Sequence, residues 1–276
     1  MISSSEDREY INRREDREFF IRREVMEIIL NVIREKIRKK MLYITTIIGI
    51  LVVTLFSTDM GSLTIGGRNI TDYYVLVPIL INVVNFLAGA IALAMSITTV
   101  PNEYERRTSH LIWSRGVEQS RYHMCLAMGN VIVSWISGFI LYMTLGIFAI
   151  VNGYANILGM ILVSTFFMMI YVAVICMLTT ALSIKLPAVV TGVIMIALFV
   201  GGAFRSILIL VSAALTGFGG TFVKRLIAVI PDLAGLSKQA GNLIQGKPGN
   251  VHVIAIGFIF IWIAGLGILV FRRKEA

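Results

Sequence analysis

"YVLVPILINVVNFLAGAIALAMSITT" (Tyr74–Thr99) runs directly into "VPNEYERRTSHLIWSRGVEQSR" (Val100–Arg121), and the join between the two decides how the chain folds. The first stretch contains no ionised side chain in 26 residues. A helix of about 20 apolar residues crosses the roughly 30 Å hydrocarbon core of a bilayer, so this stretch reads as a membrane span. The second carries Glu103, Glu105, Arg106, Arg107, Arg115, Glu118 and Arg121 and has to remain in contact with water. A new apolar run begins near Met124.

The same alternation extends along the whole chain. Of its 276 residues 57% are hydrophobic and only 15% charged, with a mean hydropathy of +0.83. A soluble domain would carry about 25% charged residues. The expectation is an all-α polytopic membrane protein with six transmembrane helices, at about 41–57, 74–99, 124–151, 157–183, 186–204 and 251–271. Pro101 is expected to end the second span, since proline breaks the helical hydrogen-bond ladder. "NGYAN" (Asn152–Asn156) reads as a turn and "IKLP" (Ile184–Pro187) as a break. Between spans five and six, residues 205–250 contain apolar stretches too short to cross. They are expected to form short extracytoplasmic or re-entrant helices. Within them Pro231 and Asp232 mark a turn or a helix cap.

Residues 1–40 form a separate charged arm. Glu9/Arg13, Glu18/Arg22 and Glu35/Lys39 stand four apart with the acid first, the favourable order on a helix. From Phe19 onward an apolar stripe appears at helical spacing: Val25, Ile28, Ile29, Val32, Ile33 and Ile37. Two readings fit: an amphipathic helix lying on the membrane surface, or one packed on a partner protein. The arm has no short apolar core with a cleavage site, so a removable signal peptide is not expected.

Placing both termini on one side puts 19 of the 25 Lys and Arg residues there. The other side receives Arg68, Arg205, Lys224, Arg225, Lys238 and Lys247. The positive-inside rule then gives an N-in/C-in orientation, with residues 100–121 in the cytoplasm. The same placement assigns the net charge of +9 to membrane orientation, so no nucleic-acid partner is expected.

Several chemistries lack their residues. No segment has the G-x-x-x-x-G-K-[ST] spacing that cradles ATP phosphates, and no H-E-x-x-H occurs. His110, His123 and His252 are scattered, while Cys125 and Cys176 sit singly in apolar runs and read as small buried hydrophobes. No metal site, no cofactor in this chain and no enzymatic activity of its own are expected. The middle of every span is free of Asp, Glu, Lys and Arg, the groups through which ion-coupled carriers work. A transported solute would therefore draw its energy from outside this sequence. Asn82 and Asn85 share a face of span two. They are either a polar strip on a translocation path or inter-helix hydrogen-bonding groups. Ala88, Ala92 and Ser96 continue that side with small residues, and Ser134 and Gly138 of span three are the expected receiving surface. Asn69-Ile70-Thr71 fits a glycosylation sequon in an outer loop.

In the Val100–Arg121 segment, Tyr104, Thr108, Leu111 and Ile112 would share one face of a helix. Such a patch suits docking on a soluble protein or resting on lipid headgroups. At this point the chain resembles the permeases of the ABC-2 type transporter family. "NEYERRTSHLIWSRGV" is similar to the family's E-x-x-x-G-T-x-x-x-L-x-S-R-P-V signature, with Glu103, Thr108, Ser114, Arg115 and Val117 in matching places. "REKIRKKMLYITTIIGIL" resembles the basic run before the family's first span, and "FRRKEA" its basic tail. The long irregular outer section between spans five and six is also similar. Arg107 stands where the family has glycine and Gly116 where it has proline, and Arg121 is displaced from its usual place. The resemblance covers about residues 30–276.

What the resemblance implies is a transport subunit, an exporter, without its own ATPase motifs. Two permeases, a second copy or a paralogue, would join two copies of a cytoplasmic ABC ATPase subunit carrying ATP and Mg. Residues 101–121 would be the coupling helix, engaging the ATPase through Glu103, Tyr104, Arg107, Thr108, Leu111, Ser114 and Arg115. The arm would supply a connecting helix. Membrane lipids would surround the 41–276 transmembrane domain in a bacterial or archaeal cytoplasmic (inner) membrane. The rival reading is a membrane scaffold or sensor that docks a soluble partner without moving a solute.

Overall fold

The computed structural model describes residues 25–58, 64–65, 68–69, 73–106, 117–215, 217–247 and 249–271. It is a bundle of helices whose longest members are apolar on nearly every side, as expected of helices solvated by lipid and by one another. Helix α1 covers residues 25–38, followed by a turn at Lys39 and Lys40, and α2 covers Met41–Thr58. A two-residue antiparallel pairing, Thr64–Ile65 with Arg68–Asn69, lies in the loop that follows. Then come α3 (Tyr73–Ile97), α4 (Thr99–Glu105), α5 (Gln119–Val151) and α6 (Leu158–Lys185). The chain ends with α7 (Ala188–Ala203), α8 (Arg205–Ala214), α9 (Phe218–Val229), α10 (Leu233–Ile244) and α11 (Val251–Val270).

Among the described residues, four helical stretches are long and apolar enough to cross a membrane: Leu76–Glu105, Gln119–Val151, Ala155–Lys185 and Val251–Val270. Among the described residues a fifth stretch passes the same length and composition requirement if α7 and α8, which meet at 80°, count together. The expected fifth span is therefore a 16-residue helix, about 24 Å long at 1.5 Å per residue, with a sharp bend at its end. Helix α2 matches the expected first span in position, and its described apolar side chains run from Leu42 to Leu51.

Pro101 does not end the second span. The break falls at Thr98, and Pro101 sits buried in the first turn of α4. A first-turn residue has no helical acceptor for its N–H, so proline costs little there. At the opposite end of α5, Asn152 and Gly153 (φ +81°) make the expected turn. Pro187 precedes α7 as its N-cap.

The core lies among α3, α5 and α6, with α10 packed against α3 and α6. Gly89 marks a close three-helix crossing: a methyl group there would lie 2.6 Å from the ring of Phe199 on α7 and 2.7 Å from that of Tyr171 on α6. Ser134 and Gly138 pack on α6, where the Cys176 thiol donates to Ser134 and Met168 covers Gly138. They do not simply receive α3 as expected. Both cysteines are free and buried. Helix α10 runs antiparallel to α3, since Ser237 meets Asn82 and Asn85 while Gly241 meets Pro78. Asp232 caps α10 by accepting from the Gly235 N–H at 2.9 Å.

Candidate functional site

Helix α1 presents three faces. Val32 and Lys36, four apart, are buried against the bundle. Met26, Leu30 and Ile37 are exposed at 56%, 39% and 43%, about a third of a turn round. Glu27, Asn31, Arg34 and Arg38 form the remaining face. Gly129 of α5 permits the docking, because a side chain there would begin 2.8 Å from Val32 Cβ.

Lys36 is the unexpected member of the docked face. It is 3% exposed, and its ammonium donates to the Met95 carbonyl and, at 2.9 Å, to Thr99 Oγ1. Met95 lies in the last turn of α3, where carbonyls lack helical donors and the helix dipole favours a cation. Lys36 therefore caps α3 from another helix. The Thr99 hydroxyl lies 3.0 Å from Asn130 Oδ1 of α5, which ties the third helix into the same knot. Burial, then the neighbouring Lys39, depresses the Lys36 pKa to about 8, against the pull of Glu35, Cys176 and Glu103.

A second set of contacts lies just beyond. Tyr122 donates to Glu103 at 2.8 Å, and Tyr104 meets His123 Nε2 at 2.9 Å. Gln119 donates to the Tyr104 hydroxyl at 2.8 Å. Arg106 pairs with Glu35 at 3.0 Å, and Glu35 also takes the expected i,i+4 contact from Lys39 at 2.9 Å. Burial raises the Glu35 pKa, but Lys39, Arg106 and Lys36 together outweigh it and hold the carboxyl below its ordinary value. A cleft of about 600 Å³ opens between α1, α4 and α5, edged by Arg34, Arg38, Glu103 and Arg106 and floored by Val32 and Leu126.

Of the expected partner-binding residues, Glu103 and Tyr104 belong to this junction. Arg107, Thr108, Leu111, Ser114 and Arg115 lie outside the described residues. The expected 101–121 helix is not continuous. Its first five residues complete α4, Val117 and Glu118 are not helical, and residues 119–121 already belong to α5.

The asparagine pair forms a separate cluster nearer the other end. Tyr142 donates to Asn85 Oδ1 at 2.9 Å, and Asn85 Nδ2 donates to Ser237 Oγ at 3.0 Å. Ser237 in turn donates to Asn82 Oδ1 at 2.6 Å. Asn85 is fully buried and bonds between helices. Asn82 is exposed and borders a cleft of about 570 Å³. Both asparagines thus bond between helices, and Asn82 also lines a cleft.

Sequence reasoning missed Lys36, Thr99, Asn130 and Tyr142. Lys36 had one signal, its place four residues after Val32 on the apolar stripe. Among the described residues no group of His, Cys, Asp or Glu is placed to hold a metal ion. Compared with known families, the chain matches no family model. A comparison with curated proteins gives no match either.

Proposed function

We propose that this chain is a permease subunit of the ABC-2 type, forming a translocation path and driven by a separate cytoplasmic ATPase. The observation that carries the reading is the polar junction at the base of residues 101–121. A segment that receives force from outside is useful only if its base is fixed to the spans that must move. Here the base is held to α1 by Arg106–Glu35 and to α5 by Glu103–Tyr122 and Tyr104–His123. The buried Lys36–Thr99–Asn130 knot locks α1, α3 and α5 together immediately below. A displacement of the segment would move α3 and α5 as one body, the two-state element that such coupling needs.

In this reading the chain crosses six times, with α2 first and the bent α7–α8 pair fifth, and both termini face the cytoplasm. The exposed apolar face of α1 rests on the bilayer surface while its arginine face meets the partner. Two permeases assemble with two ATPase subunits, and the direction is export. Counting about 20 helical residues along α3 from Thr99 puts the opposite membrane surface near Ile79, one turn beyond Asn82.

The test is reconstitution of the chain with its ATPase in lipid. Glu103→Lys reverses a charge at the junction and is expected to leave insertion and assembly intact while separating ATP hydrolysis from transport. Unchanged coupling in that variant would refute the reading.

A further inference from the structure

We propose that the cleft between α3, the α7–α8 bend and α10 binds an anionic amphiphile, a single alkyl or acyl chain bearing a carboxylate, sulfate or phosphate head. Its volume of about 570 Å³ falls within the roughly 300–1,000 Å³ of small-molecule sites. Polarity is divided along its length. Asn82 and Ser237 meet at one level, with Lys238 next to Ser237 in the chain. Phe86 and Leu87 stand one turn further along α3, and Ser206 is a further polar lining residue, on the α8 side. Phe86 continues into an aromatic wall, with ring centroids 5.0 Å from Phe199 and 6.2 Å from Phe204. A ligand matching this profile has a polar head and an apolar tail.

The hydrogen-bond directions select the sign of the head. Tyr142 gives its proton to Asn85, Asn85 donates to Ser237 and Ser237 donates to Asn82 Oδ1. The relay ends at the Asn82 carbonyl, and the Asn82 amide N–H₂, which takes no part in it, brings two donors to the cleft. Lys238 is the one charged residue lining the cleft among the described residues, and none of them forms an ion pair with it. An ammonium has donors and no acceptor. Donors at a headgroup level call for an anion, since a cationic head would meet a lysine and an amide N–H₂. Binding itself does not depend on the transport reading. The further step, that the bound amphiphile is cargo, rests on it.

The experiment uses the full chain in nanodiscs of zwitterionic phosphatidylcholine, with radiolabelled dodecyl phosphate as probe. Dodecyltrimethylammonium, dodecyl maltoside and inorganic phosphate serve as competitors. Saturable binding of one dodecyl phosphate per chain is expected, displaced by neither the cationic detergent nor inorganic phosphate. Lys238→Gln should weaken it about tenfold or more, the scale of a lost charged hydrogen bond. Lys238→Glu should transfer the preference to dodecyltrimethylammonium. Lys238 is exposed, so neither variant threatens folding. Competition by added phosphatidylglycerol would identify the natural occupant as a bilayer lipid, and its absence a free amphiphile; both uphold the site. Equal binding of anionic and cationic probes, or full affinity in both Lys238 variants, would overturn it. If the probe binds but the ATPase-bearing complex does not move it, the cargo step alone fails. Binding that survives in Glu103→Lys while coupling is lost separates the two claims.

Discussion

Replacing Lys36 with methionine should abolish a specific pH dependence of stability. The ammonium is 3% exposed, and its pKa is about 8 in the fold against 10.5 when free. Below pH 8 the group is protonated whether α1 is docked or not, and the fold bears the cost of burying a cation. Between pH 8 and 10.5 the docked lysine releases its proton while the undocked one keeps it, so stability rises with pH. Each pKa unit corresponds to about 1.36 kcal/mol. Carried through the two titrations, raising the pH from 7 to 9.5 stabilises the docked state by about 2 kcal/mol. Glu35, Lys39, Glu103 and Cys176 face the group and are present in both proteins, so subtracting the Lys36→Met profile leaves the Lys36 titration together with its coupling to them. The assay is thermal unfolding in one detergent from pH 7 to 9.5, paired with a spin-label distance between Met26 and Met128, both exposed. The wild type should gain stability relative to Lys36→Met across that range, and its α1–α5 distance distribution should narrow. A difference that is flat or falls with pH would refute the placement of a charged lysine on α3's end.

Gly129→Leu should lift α1 from α5, because its Cβ alone would stand 2.8 Å from Val32. Overpacking of this kind costs about 1–3 kcal/mol, and the same spin-label pair should report a longer distance. Tyr142→Phe leaves Asn85 Oδ1 without its donor in a buried site and should lower stability by about 1–3 kcal/mol in a denaturation series. Arg106→Ala should cost less than about 1 kcal/mol, since the Arg106 side chain is 54% exposed and solvent screens its pair with Glu35. A thermal shift as large as that of Gly129→Leu would contradict that estimate.

The sequence exposes the helices through hydrophobic run length, because lipid solvates a span on all sides and suppresses the polar alternation that makes soluble helices ambiguous. Asn82 and Asn85 were legible as a shared face for the same reason: polar groups stand out on an apolar helix. Pro101 misled because proline acts by position, and a break at Thr98 turned it from a terminator into a first-turn residue. The boundary between α7 and α8 was legible as the end of the expected fifth span at residue 204, whereas the 80° angle there was not, because it is set by packing and not by run length. Lys36 was hidden by its chemistry. A lysine before a span reads as a surface charge, and only the approach of α3's end from elsewhere in the chain supplies the acceptors that offset part of the cost of burying it. The Tyr142 relay likewise needs Ser237, more than 90 residues away, which no local pattern connects.

The most direct test of the central claim is site-specific photocrosslinking in intact cells from position 113, in the segment whose base the junction holds. The account predicts one dominant crosslinked product containing a cytoplasmic ATPase with a phosphate-binding Gly-Lys loop, lost when that ATPase is deleted. Crosslinks to lipid alone, or labelling of position 113 by a membrane-impermeant reagent added outside the cell, would contradict it.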